Sequence, residues 1–101
     1  MLAGGRVFGG ANVENASYPL SVCAERNAVA AAVAAGERAI DCVAIVTGAG
    51  EPTPPCGACR QVLWEFGPSS LVVSQTTGGA RLAWALEDLL PGAFDRSSFP
   101  S

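Results

Sequence analysis

Pro54-Pro55-Cys56-Gly57-Ala58-Cys59-Arg60-Gln61 places two cysteines three residues apart at the start of a helix. At that spacing both side chains lie on one helical face and can share a metal ion. The free N–H groups of a first turn, with the helix dipole, favour thiolate over thiol. A loop dense in glycine and proline, Gly48 to Pro55, precedes the helix, and Gly67-Pro68 stops it, so the helix is expected over Gly57–Phe66. Cys59, Leu63 and Phe66 then fall on one side. Alone, such a pair is compatible with a redox site, a zinc ribbon or another zinc site.

Working outward, Cys23-Ala24-Glu25 opens a second, alanine-rich helix, expected from Ser21 or Val22 to Ala35 with Gly36 at its C-terminal end. Cys23 is therefore placed much as Cys56 is. One cysteine from one helix and two from another make three ligands, and a fourth position stays open for water, the pattern of a catalytic zinc site. A zinc ribbon would need a second CxxC, which the sequence lacks. Cys42 lies in an apolar stretch and is expected to pack as a small hydrophobe. Glu25 stands two residues past a ligand, where it can take a proton from an activated water and return it to a substrate nitrogen. A helix-start glutamate favoured by the dipole is the plainer explanation of that residue taken alone.

The remaining segments alternate between strand and helix. Gly4-Gly5 suits a hairpin turn, with Arg6–Asn12 as the outgoing strand. Its partner is expected to lie upstream, ending at Leu2-Ala3. Cys42–Thr47 is continuously apolar, as in a strand buried on both faces. Leu71–Ser74 and Arg81–Trp84 are expected to be strands joined at Gly78-Gly79, and Leu86–Leu90 a final helical turn or two before Pro91. This succession predicts one α/β domain over residues 1–101, in layers, with a sheet covered by helices.

Composition narrows the chemistry. The 101 residues are half hydrophobic, carry a net charge of −3 and contain no histidine. Without an imidazole, Ser-His, Cys-His and HExxH chemistries are all excluded. All six basic residues are arginines, spread along the chain, so no basic face invites a nucleic acid. No apolar run reaches the roughly 18 residues of a membrane span, and the start lacks the zones of a signal peptide. A cytoplasmic location and a small neutral substrate are expected. The hydrophobic surplus hints at surface buried between subunits.

Cys23-Ala24-Glu25-Arg26, Pro55-Cys56-Gly57-Ala58-Cys59-Arg60-Gln61, Asn12-Val13-Glu14-Asn15-Ala16-Ser17-Tyr18-Pro19-Leu20 and Leu89-Leu90-Pro91 together resemble the zinc cytidine deaminases. The likeness is to the small, homotetrameric, three-cysteine type of nucleoside salvage. It implies Zn²⁺ on Cys23, Cys56 and Cys59, with Glu25 shuttling protons. The implied fold is a three-layer mixed sheet with helices on both faces, and the implied reaction converts cytidine or deoxycytidine to the uridine counterpart and ammonia. Asn12 and Glu14 are implied to grip the ribose, consistent with positions i and i+2 of a strand pointing the same way while Val13 faces the core. Tyr18 and Phe94 match aromatics that reach a neighbouring subunit's site.

Three thiolates leave the zinc centre with a net charge of −1, which makes it a poor Lewis acid. Arg26 and Arg60, each directly after a cysteine motif, are expected to draw charge from the sulfurs, aided by both helix N-termini. Rival expectations are a deaminase of another cytosine nucleoside, a nucleic-acid editing deaminase and a non-catalytic zinc-stabilised module. The intact Asn12–Asn15 segment speaks against the first, and the acidic charge against the second. Relatives carry a helix and a strand ahead of the hairpin, so the family's fold is expected here without its front.

Overall fold

Gly4 and Gly5 adopt φ of 59° and 77°, a left-handed pair that side chains rarely tolerate. They turn the chain between β1 (Leu2–Ala3) and β2 (Arg6–Val7). The ladder runs one pair further, because Phe8 N–H donates to Met1 O at 2.8 Å and the Met1 amino group to Phe8 O at 2.9 Å. This computed structural model describes residues 1–94. The hairpin stands where the paired glycines put it. Its outgoing strand is shorter than expected, since beyond Phe8 the chain leaves the sheet for the surface of a helix.

That helix is α1 (Ala24–Ala34), closed by Gly36 at φ 93°. It starts later than the apolar pattern suggests, because Cys23 has extended torsions (φ −70°, ψ 154°) and serves as N-cap. A single 3₁₀ turn, Tyr18–Leu20, precedes it and has no counterpart among the sequence expectations. β3 (Ile40–Thr47) leads through α2 (Gly57–Phe66) to β4 (Leu71–Thr76), then β5 (Arg81–Ala85) and α3 (Leu86–Leu89). The sheet order is β2-β1-β3-β4-β5. β3 and β4 are parallel and the other pairs antiparallel, which makes the sheet mixed, as expected.

The register sets Val43, Val72 and Trp84 side by side on one face, with Ile45, Ser74 and Leu82 in the next row. Against that face pack Val29 and Ala32 of α1, Leu63 of α2 and Leu86, forming one continuous core. Leu63 is fully buried, so truncating it to alanine would cost about 2–5 kcal/mol. The two cysteine-bearing helices touch each other over this core, side by side. β3 corrects one expectation. It is buried on one face only: on the other Val46 is 75% exposed, and Leu71 of the neighbouring β4, level with Cys42, is 48% exposed. An unbroken apolar run of small β-branched residues does not say which side a helix will cover.

Arg6 ties the hairpin to the end of α1. Its Nη2 donates to Ala35 O at 2.9 Å and to Glu37 Oε1 at 2.9 Å, and its guanidinium lies 5.3 Å from the Phe8 ring centroid. The cation thus meets the carbonyl-rich, partially negative end of the helix. The hairpin is fixed to α1 before the chain reaches the site.

Candidate metal centre and substrate site

Cys23 and Cys56 are each the N-cap of their helix, and neither side chain is spent on a capping hydrogen bond. Their sulfurs are free to point at one another across the α1–α2 contact. Cys59 lies one turn into α2, on its buried face. The sulfurs of Cys23 and Cys56 are 3.8 Å apart, those of Cys56 and Cys59 3.2 Å, and all three lie within 4.8 Å of one another. Tetrahedral bonds of about 2.3 Å to zinc place two sulfurs about 3.8 Å apart. The set therefore fits Zn²⁺ after a relaxation of about 0.6 Å in the closer pair. Cys42 is in β3, aligned with Leu2 and Leu71, and takes no part in the group.

The electrostatics suit a cation. Burial pushes the Cys59 thiol well up, and the neighbouring sulfurs and Glu25 add to the rise. The Cys59 backbone N–H, at the α2 N-terminus, draws the Cys56 thiol down. Three sulfurs with opposed demands share a divalent ion more readily than they share protons. Arg26 borders all three, and its own pKa is raised, first by the nearby Cys23 sulfur and then by the charge of the other two. Its Nη2 donates to Ser21 O at 3.0 Å, and its buried Nε has no hydrogen-bond partner among the described residues. A thiolate beside that Nε would satisfy it. Arg60 is placed differently. Its Nε donates to Pro55 O at 2.8 Å and its Nη1 to Leu89 O at 2.9 Å, clamping the loop before Cys56 to the end of α3.

Glu25 lies in the first turn of α1, close enough to Cys59 to act on its thiol. It also lines a cavity of about 220 Å³ with Phe8, Gly10, Ala28, Val43 and Ile45. A carboxylate thus stands beside the sulfurs and in the wall of a recess large enough for part of a small ring.

Asn12 Nδ2 donates to Glu14 Oε1 at 2.7 Å, so the two expected sugar-binding residues meet on one side of the backbone. Val13 does not face the core as expected. It is 54% exposed and forms an isolated bridge with Val22, with hydrogen bonds of 2.9 Å in both directions. The stretch pairs with the lead-in to Cys23 rather than with the main sheet, so no core lies behind it. Tyr18 is 82% exposed on the 3₁₀ turn, and Phe94 57% exposed. Gln61 Nε2 donates to Phe94 O at 2.6 Å, which holds the Phe94 backbone near α2.

Three contributors went unread in the sequence. Gly10 packs so close to α1 that a Cβ would meet Ala24 O and Ala28 N. A glycine inside an expected strand is a signal for close backbone approach. Asn27 Nδ2 donates to Ala11 O at 2.7 Å, and the Ser21 hydroxyl lies 3.5 Å from Glu14 Oε2 and accepts Asn15 N–H at 3.0 Å. Nothing in the local pattern marks either residue.

Residues 2–75 match the cytidine and deoxycytidylate deaminase zinc-binding region. The chain is 43% identical over 95 residues to a cytidine deaminase of Halalkalibacterium halodurans, covering 93% of this chain and 72% of that one. It is 44% identical over 96 residues to a cytidine deaminase of Mycobacterium tuberculosis, covering 95% and 69%. Among solved structures, the cytidine deaminase of Burkholderia pseudomallei superposes with a TM-score of 0.87 at 46% identity, over 92% of this chain and 76% of that one.

Proposed function

Because the chain belongs to the cytidine and deoxycytidylate deaminase zinc-binding family, we propose that it hydrolyses cytidine and deoxycytidine to uridine and deoxyuridine, releasing ammonia. The observation that carries this reading is the convergence of Cys23, Cys56 and Cys59 within 4.8 Å beside the Glu25 carboxylate. Zn²⁺ held there supplies the Lewis acidity that makes a water nucleophilic near neutral pH.

Glu25 accepts the proton that the attacking water loses and delivers it to the pyrimidine N3. Glu25 then takes the proton of the new C4 hydroxyl and passes it to the amine, so that C4–O becomes a carbonyl as C4–N breaks and ammonia leaves. The recess beside Glu25 gives the base a place to enter, and Gly10 leaves room at its wall. Arg26 offsets the surplus negative charge of the three sulfurs. Arg60 fixes the loop ahead of Cys56 and acts on the centre through that loop.

Asn12 and Glu14 bind the sugar hydroxyls, their mutual hydrogen bond pre-setting one donor and one acceptor for a vicinal diol. The natural setting is nucleoside salvage in the cytoplasm, by a homotetramer in which exposed Tyr18 and Phe94 complete a neighbour's site. Their exposure and the hydrophobic composition support that assembly. The chain has no helix long and apolar enough to cross a membrane among its described residues. Release of ammonia from cytidine, with about one zinc per chain, tests the proposal. Zinc-loaded protein that leaves cytidine and deoxycytidine intact would refute it and favour a zinc-stabilised module.

A further inference from the structure

The segment bearing Asn12 and Glu14 is held at two points, Val13 between them and Ala11 ahead of them, by the piece of chain that carries the metal site. On one side Val13 and Val22 exchange two 2.9 Å hydrogen bonds immediately before Cys23. On the other, Asn27 reaches from α1 to the Ala11 carbonyl at 2.7 Å, directly before Asn12. Asn27 is one helical turn beyond Cys23, and its own N–H bonds Cys23 O at 3.1 Å. Gly10 allows the intervening backbone to lie against the same turns of α1. An asparagine in a helix interior gains nothing for the helix itself, since its propensity is poor. Here its amide nitrogen makes a crossing contact instead.

From this arrangement we infer that Asn27 is a positioning residue that sets the separation between the sugar grip and the proton-transfer site, and so makes the enzyme select nucleosides over free bases. The inference rests on Asn12 and Glu14 binding the sugar. Cys23 and Glu25 belong to α1 and its N-cap, so they stay in place when the Asn27 contact is lost. Asn12 shifts instead, and with it the hydrogen bond that sets Glu14, because Ala11 is the tether on that side while Val13 stays bridged to Val22. The loss therefore falls on sugar binding rather than on the chemistry at C4.

Asn27→Ala is the variant to make, because alanine strengthens the helix and folding is not threatened. It should raise KM for cytidine about tenfold, the scale of one hydrogen bond to a positioned group, with kcat changed by less than about threefold. Turnover of free cytosine should stay within about twofold of its starting value. Binding of the product uridine, followed by NMR titration, should weaken in parallel, while uracil binding should not.

Glu14→Ala reports on the sugar reading separately, and the double variant should lose less than about twofold beyond Glu14→Ala alone, since both act on one grip. If Glu14→Ala weakens cytidine and uridine binding but Asn27→Ala does not, the positioning role is wrong and the sugar reading survives. Equal losses by Asn27→Ala on cytidine and cytosine, or full additivity in the double variant, would likewise overturn it. If Glu14→Ala itself leaves uridine binding unchanged, the sugar reading falls and this inference with it.

Discussion

Gly10→Ala puts the packing between the segment leading to Asn12 and α1 to a direct test. Gly10 does not need a left-handed backbone, so its role is clearance alone. A methyl group there would sit 2.6 Å from Ala28 N and 3.1 Å from Asn27 C, and closer still to Ala24 O. These are backbone atoms of a packed helix and cannot swing aside. Restoring an ordinary contact of about 3.5 Å requires the segment to lift by at least about 0.9 Å, and overpacking of that kind costs about 1–3 kcal/mol. Gly9 supplies the control, because a Cβ at that neighbouring position meets nothing within 4 Å. Gly9→Ala should be neutral or stabilise by up to about 1 kcal/mol through the unfolded chain. Thermal unfolding of the zinc-loaded proteins at matched concentration should show Gly10→Ala melting at least about 4 °C below the parent and Gly9→Ala at or above it. Equal melting temperatures for the two alanine variants would refute the close approach.

Cys56→Ala should lose bound zinc and Cys42→Ala should keep it, because only the first sulfur belongs to the cluster; metal analysis decides. Glu25→Gln should retain zinc and fold yet lose on the order of 10²-fold or more in turnover, since an amide can neither accept nor return the proton. Near-normal deamination would remove Glu25 from the mechanism. Arg6→Ala should destabilise by only about 1 kcal/mol, because its pair with Glu37 is partly solvated, and the difference should shrink in high salt as the pair is screened. Denaturation curves at two salt concentrations would show it, and a salt-independent loss would assign the effect to the Ala35 carbonyl and Phe8 contacts instead.

The elements were legible wherever backbone chemistry punctuates the chain. Gly57–Phe66 is bounded by Pro54-Pro55 and Gly67-Pro68, and the helix occupies those limits. Gly4-Gly5 announces its hairpin, and Gly79, at φ 97°, turns β4 into β5. The Cys23-Ala24-Glu25 and CxxC spacings predicted three sulfurs beside one carboxylate, which the packing of α1 on α2 brings together. What stayed illegible depends on contacts distant in sequence. Val13 was expected inside because alternation assumes a sheet, whereas its partner is Val22 and the bridge stands apart. Ala44 and Val46 carry no mark of exposure, since their surroundings are set by which face the helices take. Arg60 looks like Arg26 in sequence, each following a cysteine motif, yet one reaches carbonyls and the other borders sulfurs. Asn27 is invisible for the same reason, because its acceptor lies 16 residues away.

The parallel pairing of β3 with β4 has a consequence for the order of events during synthesis. Parallel strands cannot be joined by a tight turn, so the chain after Thr47 must travel back along the sheet before Leu71 can pair. Cys56 and Cys59 lie within that return path, whereas Cys23 leaves the ribosome more than thirty residues earlier on α1. Non-local pairings of this kind form late. A growing chain therefore offers an ion one thiol, then two on an undocked helix, and only then a closed set. Tight capture should begin once residues through β5 have emerged. Nascent chains halted before Leu71 should surrender zinc to a weak chelator, and chains released from the tunnel beyond Ala85 should hold it. Retention by the shorter chains would mean that the helices dock without the sheet beneath them.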